Sequence, residues 1–204
     1  MQKIKIILLL LSIGIISPIA FYTLSPLFVN TEVNEPFPIE ITDQDYQKFM
    51  QLDENDRAEI GKQMTNEQKN AIMLISSKIN NTVTEAANYY EAVNNNSNFL
   101  VGSFVGVNDG IHNANGFAKI IHTSNGTQIL RLENFMSTNG PDLYVYLATD
   151  KSALDFINLG KLKGNIGNQN YNIPIGTDLN KYNQVLIWCK AFSVLFGNAQ
   201  LLPK

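Results

Sequence analysis

The chain has 204 residues, of which 45% are hydrophobic, 10% aromatic and 16% charged. That mix excludes a wholly disordered or collagen-like chain, and the length suits one domain with extensions. Fifteen basic residues against 18 acidic give a net charge of −3, without the basic surplus that a general nucleic-acid binder uses to displace counterions. A single cysteine excludes an intrachain disulfide framework and a zinc ribbon.

In chain order, the first element is a targeting or anchoring segment, residues 1–29. Lys3 and Lys5 precede an apolar stretch from Ile6 to Val29, and the first acidic residue is Glu32. Positive charge ahead of an apolar run keeps the N-terminus in the cytoplasm and sends the downstream chain across the membrane. Ile6–Val29 is long enough to span a hydrocarbon core of about 30 Å, with Pro18 and Pro26 tolerable near its outer part. Ile6–Ile16 would also serve as a signal-peptide core, with small residues at Ser17–Ala20 for cleavage. No sharp cleavage pattern is present, so an uncleaved anchor in the cytoplasmic membrane is expected, with secretion after cleavage as the alternative.

Residues 30–97 differ in character from residues 98–204. The first stretch carries 12 acidic and 5 basic residues, the second 6 acidic and 8 basic, and 11 of the 13 glycines fall in the second. Such a break marks a boundary. In the acidic stretch, Thr42 is placed to cap a short helix running to about Gln51. Asp53-Glu54 puts acid in the first turn of a second helix ending near Met64. Thr65 and Gln68 fit a capping box, after which Ile72, Ile75, Ile79 and Val83 recur at helical spacing. The stretch reads as a helical spacer that packs on itself or on the next domain, or else as a docking arm for a membrane partner. Asn94-Asn95-Asn96-Ser97-Asn98 reads as a polar linker.

Beyond residue 98 the period becomes that of strands. Phe99–Val105, Gly116–Thr123, Thr127–Glu133, Leu143–Ala148, Ile157–Leu162, Tyr171–Ile173, Gln184–Ala191 and Phe192–Phe196 are the candidates. Asn125-Gly126 supplies a hairpin turn between two of them. The expected fold of residues 98–204 is all-β, an antiparallel sandwich or small barrel of seven or eight strands.

Three places could carry chemistry. Cys189 lies in Val185-Leu186-Ile187-Trp188-Cys189-Lys190-Ala191-Phe192, where Val185, Ile187, Cys189 and Ala191 share one apolar strand face. That geometry buries the sulfur, raises its pKa and favours an inert thiol; a reactive or metal-ligating thiol, or an intermolecular disulfide, are the alternatives. His112, in a loop, and His122, at a strand end, are the two histidines. Imidazole ligates copper or haem iron, and cysteine with two histidines is a copper set, but no histidine or methionine follows Cys189 as a blue-copper site needs, so two partly exposed histidines are expected, with a nonlocal site of another type as the alternative. The loop Ser137-Thr138-Asn139-Gly140-Pro141-Asp142 reads as a rigid turn whose Asp142 accepts backbone hydrogen bonds. No nucleophile elbow, phosphate loop, zinc-protease helix or calcium loop is present. Asn80, Asn95 and Asn125 each begin a glycosylation acceptor pattern.

Several strings in the second half are similar to a known family. Ile129-Leu130-Arg131-Leu132-Glu133-Asn134-Phe135, Asn139-Gly140-Pro141-Asp142-Leu143-Tyr144-Val145-Tyr146-Leu147, Leu159–Asn165 with Gly167–Tyr171, and Val185–Phe196 around Cys189 together resemble the DM-thirteen domain. The resemblance implies a redox role through a cysteine that acts as a free thiol or holds a group such as haem. Cys189 stands where the family cysteine stands, and His112 followed by Gly116 resembles the His-containing segment near the domain start, which makes His112 a candidate cofactor-binding residue; His122 matches no family motif. Family members occur in extracellular proteins, sometimes beside membrane cytochrome segments, so a membrane redox partner is implied. The residues themselves name no cofactor. Two functions stay open: a redox or electron-transfer accessory acting through Cys189, and a non-enzymatic surface module that binds a protein or small ligand through its loops.

Overall fold

The structure, a computed structural model, describes residues 40–87, 100–123 and 126–204. The apolar run 6–29, the Asn-rich stretch 94–98 and Asn125 of the expected hairpin turn lie outside the described residues. Among the described residues no helix is long and apolar enough to cross a membrane.

Among the described residues three short helices come first, each started by its own side-chain cap. α1 (Asp43–Gln51) begins at Thr42, whose Oγ1 accepts from Asp45 N at 3.3 Å while Asp45 Oδ2 accepts from Thr42 N at 3.0 Å. α2 (Glu54–Gln63) is capped by Asp53 Oδ1, which accepts from the N–H groups of Asn55 and Asp56. α3 (Asn66–Ser77) has the reciprocal Thr65–Gln68 box. Each cap satisfies amides that the helix itself leaves unpaired. α3 stops at Ser77, so Ile79 and Val83 do not continue its apolar stripe as their spacing suggested. The chain there is recruited by a sheet edge: Val83 N donates to Ile166 O at 2.9 Å and Glu85 N to Asn168 O at 2.8 Å.

Among the described residues nine strands come next: β1 (Leu100–Gly106), β2 (Ala114–His122), β3 (Gln128–Ser137), β4 (Leu143–Ala148), β5 (Phe156–Lys161), β6 (Ile166–Ile173), β7 (Gln184–Cys189), β8 (Val194–Gln200) and β9 (Leu202–Pro203). Their order is β5-β4-β7-β8-β1-β2-β3-β6, every neighbouring pair antiparallel, with β9 added beside β1. β5 and β6, the two ends of the path, approach each other, so eight strands make a nearly closed barrel. The all-β expectation holds.

Alternation along the strands decides what faces inward. Leu143, Val145 and Leu147 of β4 and Val185, Ile187 and Cys189 of β7 join the core, while Tyr144, Tyr146 and Leu186 form a second cluster on the outer face. The helices share the main core: Tyr46, Phe49, Ile72 and Met73 are buried in it. Burying a side chain such as Phe49 contributes roughly 1.5–3 kcal/mol, and it is this apolar contact that seats the helices on the barrel.

Several strand limits differ from the sequence expectation: β3 runs on to Ser137 and β8 to Gln200, and two further differences have a visible cause. β6 is eight residues long, although IGNQNYNI has little β propensity, because β3 pairs it on one side and residues 81–85 on the other. The expected strands 184–191 and 192–196 are separated by a turn at residues 190–193, in which Ser193 takes φ 53°.

Candidate functional site

Cys189 is the last residue of β7, opposite Leu143 of β4 and Val194 of β8. Its residue exposure is 0%. Burial pushes the thiol up to about 12, and the charge of Asp142 adds to this. Backbone groups of Phe192, Asp142 and Ala191 point their hydrogen bonds at the sulfur and pull the other way without overcoming burial. A thiol with that pKa holds almost no thiolate at neutral pH, so it is protected while the structure stays closed.

The helical segment packs on the turn that follows Cys189. The Phe49 ring of α1 stacks on Phe192 of the 190–193 turn at 5.6 Å between centroids. Gly61 of α2 lies so close to the Ala191 carbonyl that a Cβ there would overlap the oxygen. Only glycine lets the two backbones meet this closely. The two helices therefore cap the turn next to Cys189.

A group of charges fastens the cap. Glu54, at the start of α2, pairs with Lys161 at 2.9 Å and with Lys190 at 2.9 Å. The Tyr144 hydroxyl faces Glu54 without closing a hydrogen bond of normal geometry. That hydroxyl, then Lys190 and Lys161, hold the Glu54 carboxyl down at about 2. Deeper in, Arg57 Nη2 lies 3.3 Å from Asp142 Oδ1, with side-chain exposures of 7% and 2%. Arg57 Nη1 donates to the carbonyls of Met50 and Leu52, tying the end of α1 to α2. Burial raises the Asp142 carboxyl above its ordinary range, and the charges of Arg57 and Lys161 offset this only in part. Arg57 Nε and Asp142 Oδ2 are buried without partners, and both residues line a cleft of about 480 Å³ between helices and barrel.

The site residues expected from the sequence fall into separate places. His112 sits in the β1–β2 loop, 6% exposed rather than partly exposed. Its Nδ1 is 2.7 Å from Asp109 Oδ2, and its ring meets Phe196 edge-on at 4.7 Å. Burial pushes the Asp109 carboxyl up, but hydrogen bonds from the His112 backbone and ring and from Ile111 outweigh it and hold it at about 2. The ionised carboxylate accepts a hydrogen bond from Nδ1–H, and Nε2 is buried without a partner. His122 ends β2, and its Nδ1 lies 3.5 Å from Gln128 Nε2. The Asp142 carboxylate does not hold the turn backbone as expected; it turns to Arg57, which the local sequence does not signal because 85 residues separate them. Glu54, Arg57, Tyr144 and Lys190 carry no local sequence signal for the same reason.

A prosthetic group does not fit these residues. Among the described residues no three of His, Cys, Asp or Glu gather to hold a metal ion. The 480 Å³ cleft and a smaller one of about 210 Å³ are both lined without Cys189 or His112. Haem needs a ligand atom at an open face, and the sulfur has none.

Residues 104–201 match the family model described as Electron transfer DM13. No curated protein and no solved structure matches the chain. The matched stretch runs from within β1 to the residue before β9, so it covers the barrel and leaves out the capping helices. The barrel of this chain is a DM13 domain, of the family described as Electron transfer DM13.

Proposed function

We propose that this DM13 domain is a thiol-based redox accessory whose working group is Cys189, held protonated under a helical cap until the cap lifts. The observation that carries the reading is the buried sulfur at the end of β7, beside the turn on which α1 and α2 pack, with backbone groups of Phe192, Asp142 and Ala191 pulling its pKa down against burial. Those dipoles favour a thiolate, and they would dominate once the desolvation imposed by the cap is relieved. The co-reactant is a disulfide. The Cys189 sulfur forms a new S–S bond with one sulfur of that disulfide, the old S–S bond breaks, and the Cys189 proton ends on the departing thiolate. With a single cysteine in the chain, the mixed disulfide is resolved by a second thiol from outside. The apolar run 6–29 behind two lysines supports anchoring in the cytoplasmic membrane with the barrel outside the cytoplasm, beside a membrane redox partner.

The full chain equilibrated in glutathione buffers of rising oxidised fraction tests this by intact mass. A saturable single adduct that disappears in Cys189→Ser is expected. An unmodified chain in fully oxidised glutathione, under conditions where the helices are melted but the barrel is folded, overturns it. The complete burial of the sulfur also favours a second reading, a non-enzymatic surface module. In that reading Cys189→Ser leaves partner binding unchanged.

A further inference from the structure

Away from the thiol, a cleft of about 210 Å³ opens where the end of α3, the starts of β2 and β6 and the end of β3 meet. Its chemistry is unlike that of the charged cleft. Seven of its nine lining residues carry neutral amide or hydroxyl groups, and none is charged. The other two, Met136 and Ile166, give it an apolar wall, and Met136 is 51% exposed. Part of the polar lining is already engaged: Asn165 Nδ2 donates to Ser137 O at 3.0 Å and to Asn80 Oδ1 at 3.2 Å, which fixes the floor. Two groups are not engaged, the Asn113 Oδ1 and the Ser137 hydroxyl. Ser137 is 5% exposed, lines the cleft, and its Oγ has no hydrogen-bond partner. A buried hydroxyl without a partner is costly unless something completes it. Asn115 stands exposed at the rim.

We infer that this cleft binds one ring of a neutral polyhydroxylated ligand, a sugar unit. A charged ligand would be desolvated there with no counter-charge, which such a lining cannot offset. Hydroxyl groups donate and accept at once, matching serine, threonine and amide partners, and the C–H face of a sugar ring suits the Met136 side chain. The volume falls below the roughly 300–1,000 Å³ of sites for larger small molecules, so a single ring is the size that fits.

Methyl-labelled methionine gives a reporter inside the cleft, because Met136 lines it. The full chain is titrated with methyl glucoside, methyl galactoside and N-acetylglucosamine, and with glucuronate and glycerol as charged and small controls. At least one neutral sugar is expected to shift the Met136 methyl signal saturably, with glucuronate and glycerol inactive. Ser137→Ala is expected to weaken binding about three- to tenfold, the worth of one neutral hydrogen bond. Asn115→Leu, at the exposed rim where folding is not at stake, is expected to weaken it as well. Ser137→Val, which fills the space, is expected to abolish the shift. No saturable shift with any neutral sugar, an equal response to glucuronate or glycerol, or binding unchanged in both Asn115→Leu and Ser137→Val overturns the inference.

Discussion

Replacing Phe49 by alanine separates two routes by which a reagent reaches Cys189. Phe49 is 0% exposed, and its ring stacks on Phe192 in the turn beside the thiol. Removing a buried phenylalanine costs about 3–5 kcal/mol. If that loss falls on the docking of α1 and α2, the population with an open cap rises by about two to three and a half orders of magnitude, at 1.4 kcal/mol per decade. Labelling of Cys189 by a maleimide at mildly alkaline pH then accelerates by the same factor, provided closing is faster than labelling. The control is Leu130→Ala in β3, four strands from β7 in the barrel order and also 0% exposed. It costs about 2–5 kcal/mol of global stability but leaves the cap contacts in place. Sub-global opening predicts acceleration by Phe49→Ala and an unchanged rate in Leu130→Ala. Equal acceleration in both would show that the thiol is reached only by unfolding the whole domain, and the cap would have no separate role.

Three further outcomes are expected of the same structure. Arg57→Ala leaves Asp142, whose side chain is 2% exposed, without its guanidinium; denaturant titration should show a loss of about 3–5 kcal/mol, largely recovered in Arg57→Met with Asp142→Leu. Cys189 is raised from 9.0 to about 12, so between those values the unfolded chain has lost the thiol proton that the folded chain keeps. Stability therefore falls as pH rises, by about 1.4 kcal/mol per pH unit from this group alone, and Cys189→Ala should flatten that part of the profile. Gly167 has φ 113°, and a Cβ there would overlap Val83 O; Gly167→Ala should cost at least about 1–3 kcal/mol and raise hydrogen exchange at Val83 and Glu85.

Much of the architecture is local and is therefore readable in the chain. Thr42, Asp53 and Thr65 start their helices through bonds to amides two or three residues on, so the pattern of polar side chains before apolar residues suffices. β4 and β7 are apolar enough to announce strands, and the inward side of Val185, Ile187 and Cys189 follows from alternation. The full length of β6 is hidden because its glycine, asparagines and glutamine are held by pairing on both edges rather than by propensity. The turn at 190–193 interrupts a run that is largely apolar, since the helices rather than solvent cover Ala191 and Phe192. The residue that would carry the chemistry is legible as the sole cysteine, but its cover is not. Arg57–Asp142, Glu54–Lys190 and Phe49–Phe192 join positions 85 to 143 residues apart, and no periodicity in one strand or helix encodes a partner at that range.

Hydrogen exchange of individual amides under native conditions measures the opening of the cap itself. Amides in the middles of α1 and α2 should exchange with a lower free energy of opening than those of β3 and β7, and Glu54→Gln should lower it further without changing the barrel values. Exchange of the helices at the same free energy as the barrel strands, in both wild type and Glu54→Gln, would contradict a cap that lifts from the thiol on its own.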